Sequence, residues 1–195
     1  MDKMKLILAS GSPRRKELLG KLQIPFSVIV SDCDESLPDD IPAEEAAETL
    51  AVRKAAAVAA EHPDAVVIGA DTTVILADEI LGKPQNPDDC KRMLYMLSDN
   101  AHKVITGVAV FWGGHSFSFS EETLVQFYPL SEDDINRYAA SGEPYDKAGA
   151  YGIQGLGALL VRGIHGDYFN VVGLPVARLH RELRRLGILL LLGAE

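Results

Sequence analysis

Short apolar runs of strand length, bounded by glycine or polar residues, alternate along this chain with segments whose apolar residues recur at helical spacing. This alternation is typical of a mixed α/β fold, because each helix can cover one face of a sheet. The predicted strands are Leu6–Ala9, Ser27–Val30, Val66–Ala70, Thr73–Leu76, Val104–Phe111, Ser116–Ser120, Thr123–Tyr128 and Ala158–Val161. The predicted helices begin near Pro13, Glu44, Pro87, Ser131 and Pro175. Two glycines between Trp112 and His115 predict a β-hairpin, so we also expect antiparallel pairing.

Length and composition narrow the class of protein. The 195 residues contain no internal repeat and no long polar linker, so we expect one domain, residues 1–195. A net charge of −9 disfavours general binding to nucleic acid or an anionic membrane, so any phosphate site must be a local basic pocket. The two cysteines, Cys33 and Cys90, form no close pair, which indicates a reducing compartment, and no apolar run has signal-peptide or membrane-spanning length. Neither a Walker A motif nor a GxGxxG turn is present.

A basic motif, Ser10-Gly11-Ser12-Pro13-Arg14-Arg15, follows the first predicted strand and opens a helix. Ser12 suits the N-cap and Pro13 the first helical position, so free backbone N–H groups would point towards an anion. Arginines in the first turn of a helix have the wrong sign for its dipole. A bound polyanion would account for Arg14 and Arg15, and so would a solvated arginine pair.

Lys54 lies in an apolar stripe of the predicted helix from about Glu44 to Ala60. Helical phase places it on the same face as Leu50, Ala51 and Val58. A lysine in that position either extends its stem to reach water or offers its ammonium to a buried anion. The sequence leaves both open.

Asp71 follows the apolar run Val66–Ala70, which resembles a buried strand. We expect the strand to end there, at the kind of edge where open α/β sheets place their ligands. An aspartate that starts a turn or caps a helix is the alternative. Thr72 comes next, so its hydroxyl could line the same cavity.

Three further segments carry candidate ligands. Lys83 precedes Pro84, which keeps it extended and outside any helix, and a solvated loop lysine is the alternative. Glu35 lies in an acidic cluster, which is either solvated or a source of the oxygen ligands that Mg²⁺ and Mn²⁺ require. Four glycines between residues 149 and 157 leave backbone open to a ligand around Gln154, or form a plain connector.

Together these segments resemble the Maf family of nucleotide pyrophosphatases. The matching stretches cover nearly the whole chain in order and are Leu8–Arg15, Leu50-Ala51 with Lys54-Ala55, Gly69–Thr72, Leu81–Pro84, Asp146–Gly155 and Val171–Pro175. The resemblance implies an elongated, twisted, mixed β-sheet whose flanking helices form two lobes around a cleft, as in inosine-triphosphate pyrophosphatases. It also implies a homodimer that hydrolyses nucleoside triphosphates to the monophosphate and pyrophosphate with a divalent cation, Mg²⁺ or Mn²⁺. We expect a cytoplasmic location from the cysteine usage and from the lack of an apolar run of signal-peptide or membrane-spanning length.

The resemblance assigns roles to individual residues. The implied catalytic residues are Asp71, as proton acceptor, Lys54 and Lys83; the implied substrate-binding residues are Ser10, Arg14, Arg15, Thr72 and Gln154; and the implied metal ligands are Glu35 and Asp71. Gln154 resembles the branch that acts on dTTP and UTP, because the branch that acts on 7-methyl-GTP has glutamate there.

Two other functions are alternatives to hydrolysis, namely nucleotide binding without catalysis and DNA binding. A non-enzymatic nucleotide-binding regulator of septum formation would need the same pocket, but it could lose the carboxylate that activates water. The presence of Asp71, Lys83 and Glu35 therefore favours an enzyme. DNA binding is disfavoured by the net charge and by the lack of a basic face with interleaved aromatic residues.

Overall fold

The computed structural model describes residues 3–38 and 40–193. Within these residues, the strands are β1 (Lys5–Leu8), β2 (Phe26–Val28), β3 (Ala65–Leu76), β4 (Glu79–Leu81), β5 (Ala101–Trp112), β6 (His115–Phe127) and β7 (Val161–His165). The helices are α1 (Pro13–Gly20), α2 (Ala43–Glu61), α3 (Pro87–Leu97), α4 (Glu132–Ala140), α5 (Tyr168–Val172), α6 (Val176–Arg185) and α7 (Ile188–Leu191). Short 3-10 turns occupy Glu143–Asp146, Ala148–Ala150 and Leu156–Leu159.

The described strands form one mixed sheet in the order β2-β1-β3-β5-β6-β7, with β4 paired to β3. β1 pairs in parallel with β2 and β3, whereas β4 runs antiparallel to β3 and β7 antiparallel to β6. The predicted mixed α/β class is therefore confirmed. No helix in the described ranges is both long and apolar enough to cross a membrane.

The chain divides into two compact units. The first comprises the described residues within 1–71, 106–121 and 173–195, and the second comprises residues 72–105 and 122–172. Each unit has its own apolar core. The core cluster of the first unit contains Ile7, Ala9, Ala51, Ala55, Val58, Ala65, Val67 and Ala109, whereas large side chains such as Leu94, Leu97, Phe127, Ile135 and Tyr151 fill that of the second.

The local signals placed several elements correctly. Ser12 is the N-cap of α1 with Pro13 at its first position, and the five predicted helix starts lie within one residue of the observed ones. Gly113 and Gly114 have φ values of 51° and 81° and join β5 to β6, which confirms the hairpin. β4, α5 and α7 were not predicted, because elements of three to five residues are too short to show a period.

The prediction that a strand ends at Asp71 is wrong. The segments Val66–Ala70 and Thr73–Leu76 belong to one continuous strand, β3. The acidic side chain was interpreted as a strand end because aspartate is rare inside strands. Here the Lys54 ammonium lies 2.6 Å from the Asp71 carboxylate, so the charge is neutralised within the sheet.

The same error occurs in β6, where the predicted strand Ser116–Ser120 and all but the last residue of Thr123–Tyr128 are parts of one strand. Two glutamates between them are accommodated because each has a basic partner. Glu121 pairs with Arg178 at 2.6 Å and Glu122 pairs with Lys103 at 3.5 Å. The predicted strand Ala158–Val161 is wrong as well, since Leu156–Leu159 is a 3-10 turn and β7 begins only at Val161.

Helix α2 lies unusually close to the sheet. A Cβ atom on Gly69 of β3 would lie 2.6 Å from the carbonyl oxygen of Ala51 and 2.8 Å from the backbone nitrogen of Ala55. A Cβ on Gly107 of β5 would overlap the backbone of Ala47 and Glu48. Only glycine fits at these two crossings, and the small residues of α2 allow the approach. This packing brings the middle of α2 against β3.

Replacing Gly69 by alanine is expected to destabilise the protein by about 1–3 kcal/mol, because the new methyl group overlaps the backbone of α2. Gly20→Ala, in α1 with no atom within 4 Å of the new Cβ, is the matched control. That control should be neutral or more stable by up to about 1 kcal/mol, because alanine favours helix. Urea unfolding followed by circular dichroism measures both. A Gly69→Ala variant as stable as the parent would contradict the close packing.

Candidate active site

The turn after β1 is organised by two serine hydroxyls. The buried Ser10 hydroxyl oxygen accepts hydrogen bonds from the backbone nitrogen of Ser12 and from Nη1 of Arg15, both at 3.3 Å. The Ser12 hydroxyl oxygen accepts from the backbone nitrogen of Arg15 at 3.4 Å, as an N-cap does. These contacts hold the Arg15 guanidinium over the start of α1.

Arg15 is held at its other side by the backbone, since Nε donates to the carbonyl oxygen of Gly173 at 2.9 Å. Loss of solvent lowers the pKa of Arg15, Asp71 and Glu35 oppose that effect, and Arg14 adds to it. The guanidinium nevertheless stays protonated, because arginine begins so far above neutrality. The structure thus places Arg14, Arg15 and two carboxylates in one charge cluster. The contact with Gly173 could not be foreseen from the sequence.

Lys54 is the centre of this cluster. Its ammonium lies 2.6 Å from Oδ1 of Asp71 and 3.0 Å from Oε2 of Glu35. The side chains of Lys54 and Asp71 are 13% and 15% exposed, whereas that of Glu35 is 58% exposed. The Lys54 ammonium therefore binds anions rather than extending into water, and these anions are carboxylates of the protein itself.

The charge state of Lys54 follows from these neighbours. Burial by itself would lower the pKa of its ammonium, but the attraction of Asp71 and the hydrogen bonds to Asp71 and Glu35 outweigh burial, and the pKa is raised. Lys54 is therefore a permanent cation at neutral pH. It can bind or orient an anion, but it cannot accept a proton from water.

A turn presents Glu35 to Lys54. The Asp34 carboxylate accepts from the backbone nitrogen and the hydroxyl of Ser36, at 2.8 and 2.7 Å, and these hydrogen bonds lower the pKa of Asp34. Arg53, adjacent to Lys54 in α2, donates through Nη1 to the carbonyl oxygens of Asp34 and Ser36, at 3.4 and 2.5 Å. The Asp34 carboxylate therefore stabilises the turn itself through its hydrogen bonds with Ser36. The contribution of Arg53 was missed, because its position away from the apolar stripe gives no sign of a partner in the loop.

The two carboxylates beside Lys54 could hold a divalent cation only if a substrate supplied further oxygen ligands. Glu35 and Asp71 provide carboxylate oxygens, which Mg²⁺ and Mn²⁺ prefer. Among the described residues, no group of three or more histidine, cysteine, aspartate or glutamate side chains is placed to hold a metal ion. Two carboxylates match the habit of Mg²⁺, which keeps several waters and takes its remaining ligands from phosphate.

Three of the predicted site residues belong to the second unit. Thr72 is half-buried in β3, Lys83 is exposed in the loop between β4 and α3, and Gln154 is exposed in the segment 152–157. Of the two interpretations of these glycines, an open backbone is wrong for all three in this segment, because protein atoms fill the place of a Cβ at Gly152, Gly155 and Gly157. A Cβ on Gly152 or Gly155 would overlap the side chain of Lys147 or Glu143, so the protein itself fills that space.

The structure therefore joins six predicted site residues in the first unit, which are Ser10, Arg14, Arg15, Glu35, Lys54 and Asp71. Three cations and two carboxylates in so small a region can bind a polyanion and offer a base beside it.

Known proteins resemble this chain in sequence and in fold. The family described as Maf-like protein matches residues 5–186. A dTTP/UTP pyrophosphatase of Bacillus velezensis is 54% identical over 184 residues, covering 94% of this chain and 97% of that protein. A dTTP/UTP pyrophosphatase of a Geobacillus species is 52% identical over 182 residues, covering 93% and 98%.

Among solved structures, a HAM1 protein from Coxiella burnetii has a TM-score of 0.52 at 13% identity, covering 93% of this chain and 99% of that one. At that identity the likeness bears on the fold alone, and it agrees with the Ham1-like sheet that the sequence predicted. The family match spans nearly the whole chain, and the two pyrophosphatases are identical to it at about half of their positions. The chain therefore belongs to the Maf-like protein family.

Proposed function

We propose that this protein is a nucleoside triphosphate pyrophosphatase that hydrolyses dTTP, UTP and related pyrimidine nucleotides to the monophosphate and pyrophosphate. The observation that carries the proposal is the Lys54 ammonium shared between Asp71 and Glu35, beside Arg15. Relatives at about 50% identity that bear the name dTTP/UTP pyrophosphatase support the choice of substrate.

The cations bind the triphosphate. Arg14, Arg15 and Lys54 form a local positive site in a chain of net charge −9, so the attraction for a polyanion is concentrated there. Lys83 is proposed to act on the same phosphates, on the strength of its match to the family motif. Little covalent chemistry is required of the protein, because phosphoryl transfer depends mainly on positioned charge.

Asp71 is proposed as the proton acceptor. It takes a proton from water as the water oxygen bonds to the α-phosphorus, and the bond from that phosphorus to the bridging oxygen breaks to release pyrophosphate. Lys54 is already protonated at neutral pH, so it cannot be the group that takes this proton.

Glu35 and Asp71 are the residues that would hold Mg²⁺ or Mn²⁺, whose charge neutralises phosphate oxygens when the ion is bound. Glu35 suits this role because its side chain is the most exposed of the three at the Lys54 site.

Gln154 and Thr72 are proposed to select the base. A glutamine carboxamide carries a donor and an acceptor side by side, which allows it to pair with one edge of a pyrimidine. The exposure of Gln154 leaves that group available to a ligand.

We further propose that residues 1–195 act as one catalytic domain, because a single family match spans residues 5–186. A cytoplasmic location is supported by the sparse cysteines, Cys33 and Cys90, both free thiols. A homodimer is proposed from the family resemblance.

Asp71→Asn is expected to lower turnover of UTP and dTTP by roughly a hundredfold or more, because the amide cannot accept the proton of water. Pyrophosphate and orthophosphate are measured separately, with Mg²⁺ or Mn²⁺ present. Asp64→Asn, at an exposed aspartate just before β3, is the matched control and should behave as the parent does. Full activity in Asp71→Asn would remove Asp71 from the mechanism. Binding of UTP by the parent without hydrolysis would support the nucleotide-binding regulator instead.

Lys54→Met is expected to destabilise the protein by about 1–3 kcal/mol near neutral pH, because two carboxylates lose their shared partner. The folded-state pKa of Lys54 is raised, so its contribution is fully present below the pKa of an unfolded lysine, about 10.4, and is lost as pH rises through the folded value. The stability gap between parent and variant, measured by urea unfolding at increasing pH, should therefore hold below that pH and shrink above it. Lys16→Met, at an exposed lysine of α1, should change stability by less than about 0.5 kcal/mol. A gap that does not shrink in alkali would refute the pairing.

A further inference from the structure

Glu143, in the second unit, binds the segment that carries Gln154. We call residues 152–157 the glutamine loop. Oε2 of Glu143 accepts from the backbone nitrogen of Leu156 at 2.8 Å, and Oε1 accepts from that of Gly157 at 3.1 Å. The carboxylate therefore holds the loop just after Gln154.

Tyr138 holds the other end of the loop. Its hydroxyl donates to Oε1 of Glu143 at 2.9 Å and accepts from the backbone nitrogen of Gly152 at 3.1 Å. Tyr138 is buried in the core cluster of the second unit, so its position is fixed by packing. Gln154 thus lies between two anchor points that meet at one carboxylate.

The glycines of the loop permit this arrangement. A Cβ on Gly155 would overlap the Glu143 carboxylate, and a Cβ on Gly157 would lie 2.8 Å from the Tyr138 hydroxyl. A Cβ on Gly152 would lie 2.6 Å from Cε of Lys147, whose ammonium donates to the carbonyl oxygen of Glu143 at 2.6 Å. The glycine-rich sequence is therefore explained by close contact with Glu143 and its neighbours.

The carboxylate is the group best suited to this position. Two backbone N–H groups and one hydroxyl all donate towards it, and an ionised acceptor strengthens each of these hydrogen bonds. An amide at the same place would keep one acceptor oxygen and turn an NH₂ group towards donors. The charge as well as the shape of Glu143 is thus matched to the loop.

We propose that Glu143 is a positioning residue for substrate selection, which fixes the glutamine loop in the conformation that presents the Gln154 carboxamide to the pyrimidine. This inference rests on the proposed function, in which Gln154 reads the base. Glu143 does not touch the substrate itself; it acts through the loop.

The test compares the specificity constants, kcat/KM, for UTP and CTP, whose rings differ in the donor and acceptor groups of one edge. The parent should prefer UTP. Glu143→Gln and Tyr138→Phe should each lower the ratio of the two constants by about tenfold, mainly through a higher KM for UTP, with kcat for UTP within about threefold of the parent. Glu132→Gln, at an exposed glutamate of α4, is the matched control and should leave the ratio unchanged.

Gln154→Ala and the double variant Gln154→Ala with Glu143→Gln distinguish base recognition by Gln154 from positioning of the loop by Glu143. If Glu143 acts through Gln154, adding Glu143→Gln to Gln154→Ala should not change the ratio further. A uniform loss of kcat/KM for both nucleotides in Glu143→Gln would show a merely structural role and overturn the inference, while an effect of Gln154→Ala on the ratio would leave the proposed function standing. No preference in the parent, or no effect of Gln154→Ala, would remove the base-reading role and the inference with it.

Discussion

One shared ammonium organises the candidate site. Lys54 lies within 3.0 Å of both Asp71 and Glu35, and the two mostly buried groups, Lys54 and Asp71, would each be unfavourable without an opposite charge. A lysine with 13% exposure needs an anion, an aspartate inside a strand needs a cation, and two neighbouring carboxylates need charge between them. The pKa of Lys54 is raised in spite of burial, which shows that attraction outweighs desolvation. The rest of the site is built around that balance.

The scaffold reaches this arrangement through small residues. Because residue 69 of β3 is glycine, the backbone of α2 lies so close to β3 that any larger side chain at that position would overlap it. This close packing brings Lys54 of α2 next to Asp71 of β3. From the next position of α2, Arg53 holds the turn that carries Glu35. The same helix therefore places the ammonium that pairs with both carboxylates and the guanidinium that holds the turn. In the proposed function, the triphosphate competes with Asp71 and Glu35 for the Lys54 ammonium. The ion pairs that stabilise the free protein are therefore the ones that the substrate changes.

Features that depend on neighbouring residues could be predicted from the sequence, whereas features that depend on a partner far along the chain could not. The N-cap at Ser12 and the position of Lys54 in an apolar stripe follow from helical geometry, so both were predictable. Local patterns misplace a strand end at Asp71, because its partner lies 17 residues away on a helix and no local pattern reveals that pairing. The glycines around Gln154 suggest an open backbone, because Glu143, which fills the space beside them, lies outside the loop. The candidate residues stand out in the sequence, whereas their individual roles come from the family resemblance and stay predictions.

The central claim is that this charge cluster directs water to the α-phosphorus. Hydrolysis of UTP in water enriched in oxygen-18, followed by mass spectrometry of both products, tests it directly. The account predicts that the label appears in uridine monophosphate, because the new bond forms at the α-phosphorus and pyrophosphate leaves with its original oxygens. Label in pyrophosphate, with unlabelled uridine monophosphate, would place the attack at the β-phosphorus and contradict the account.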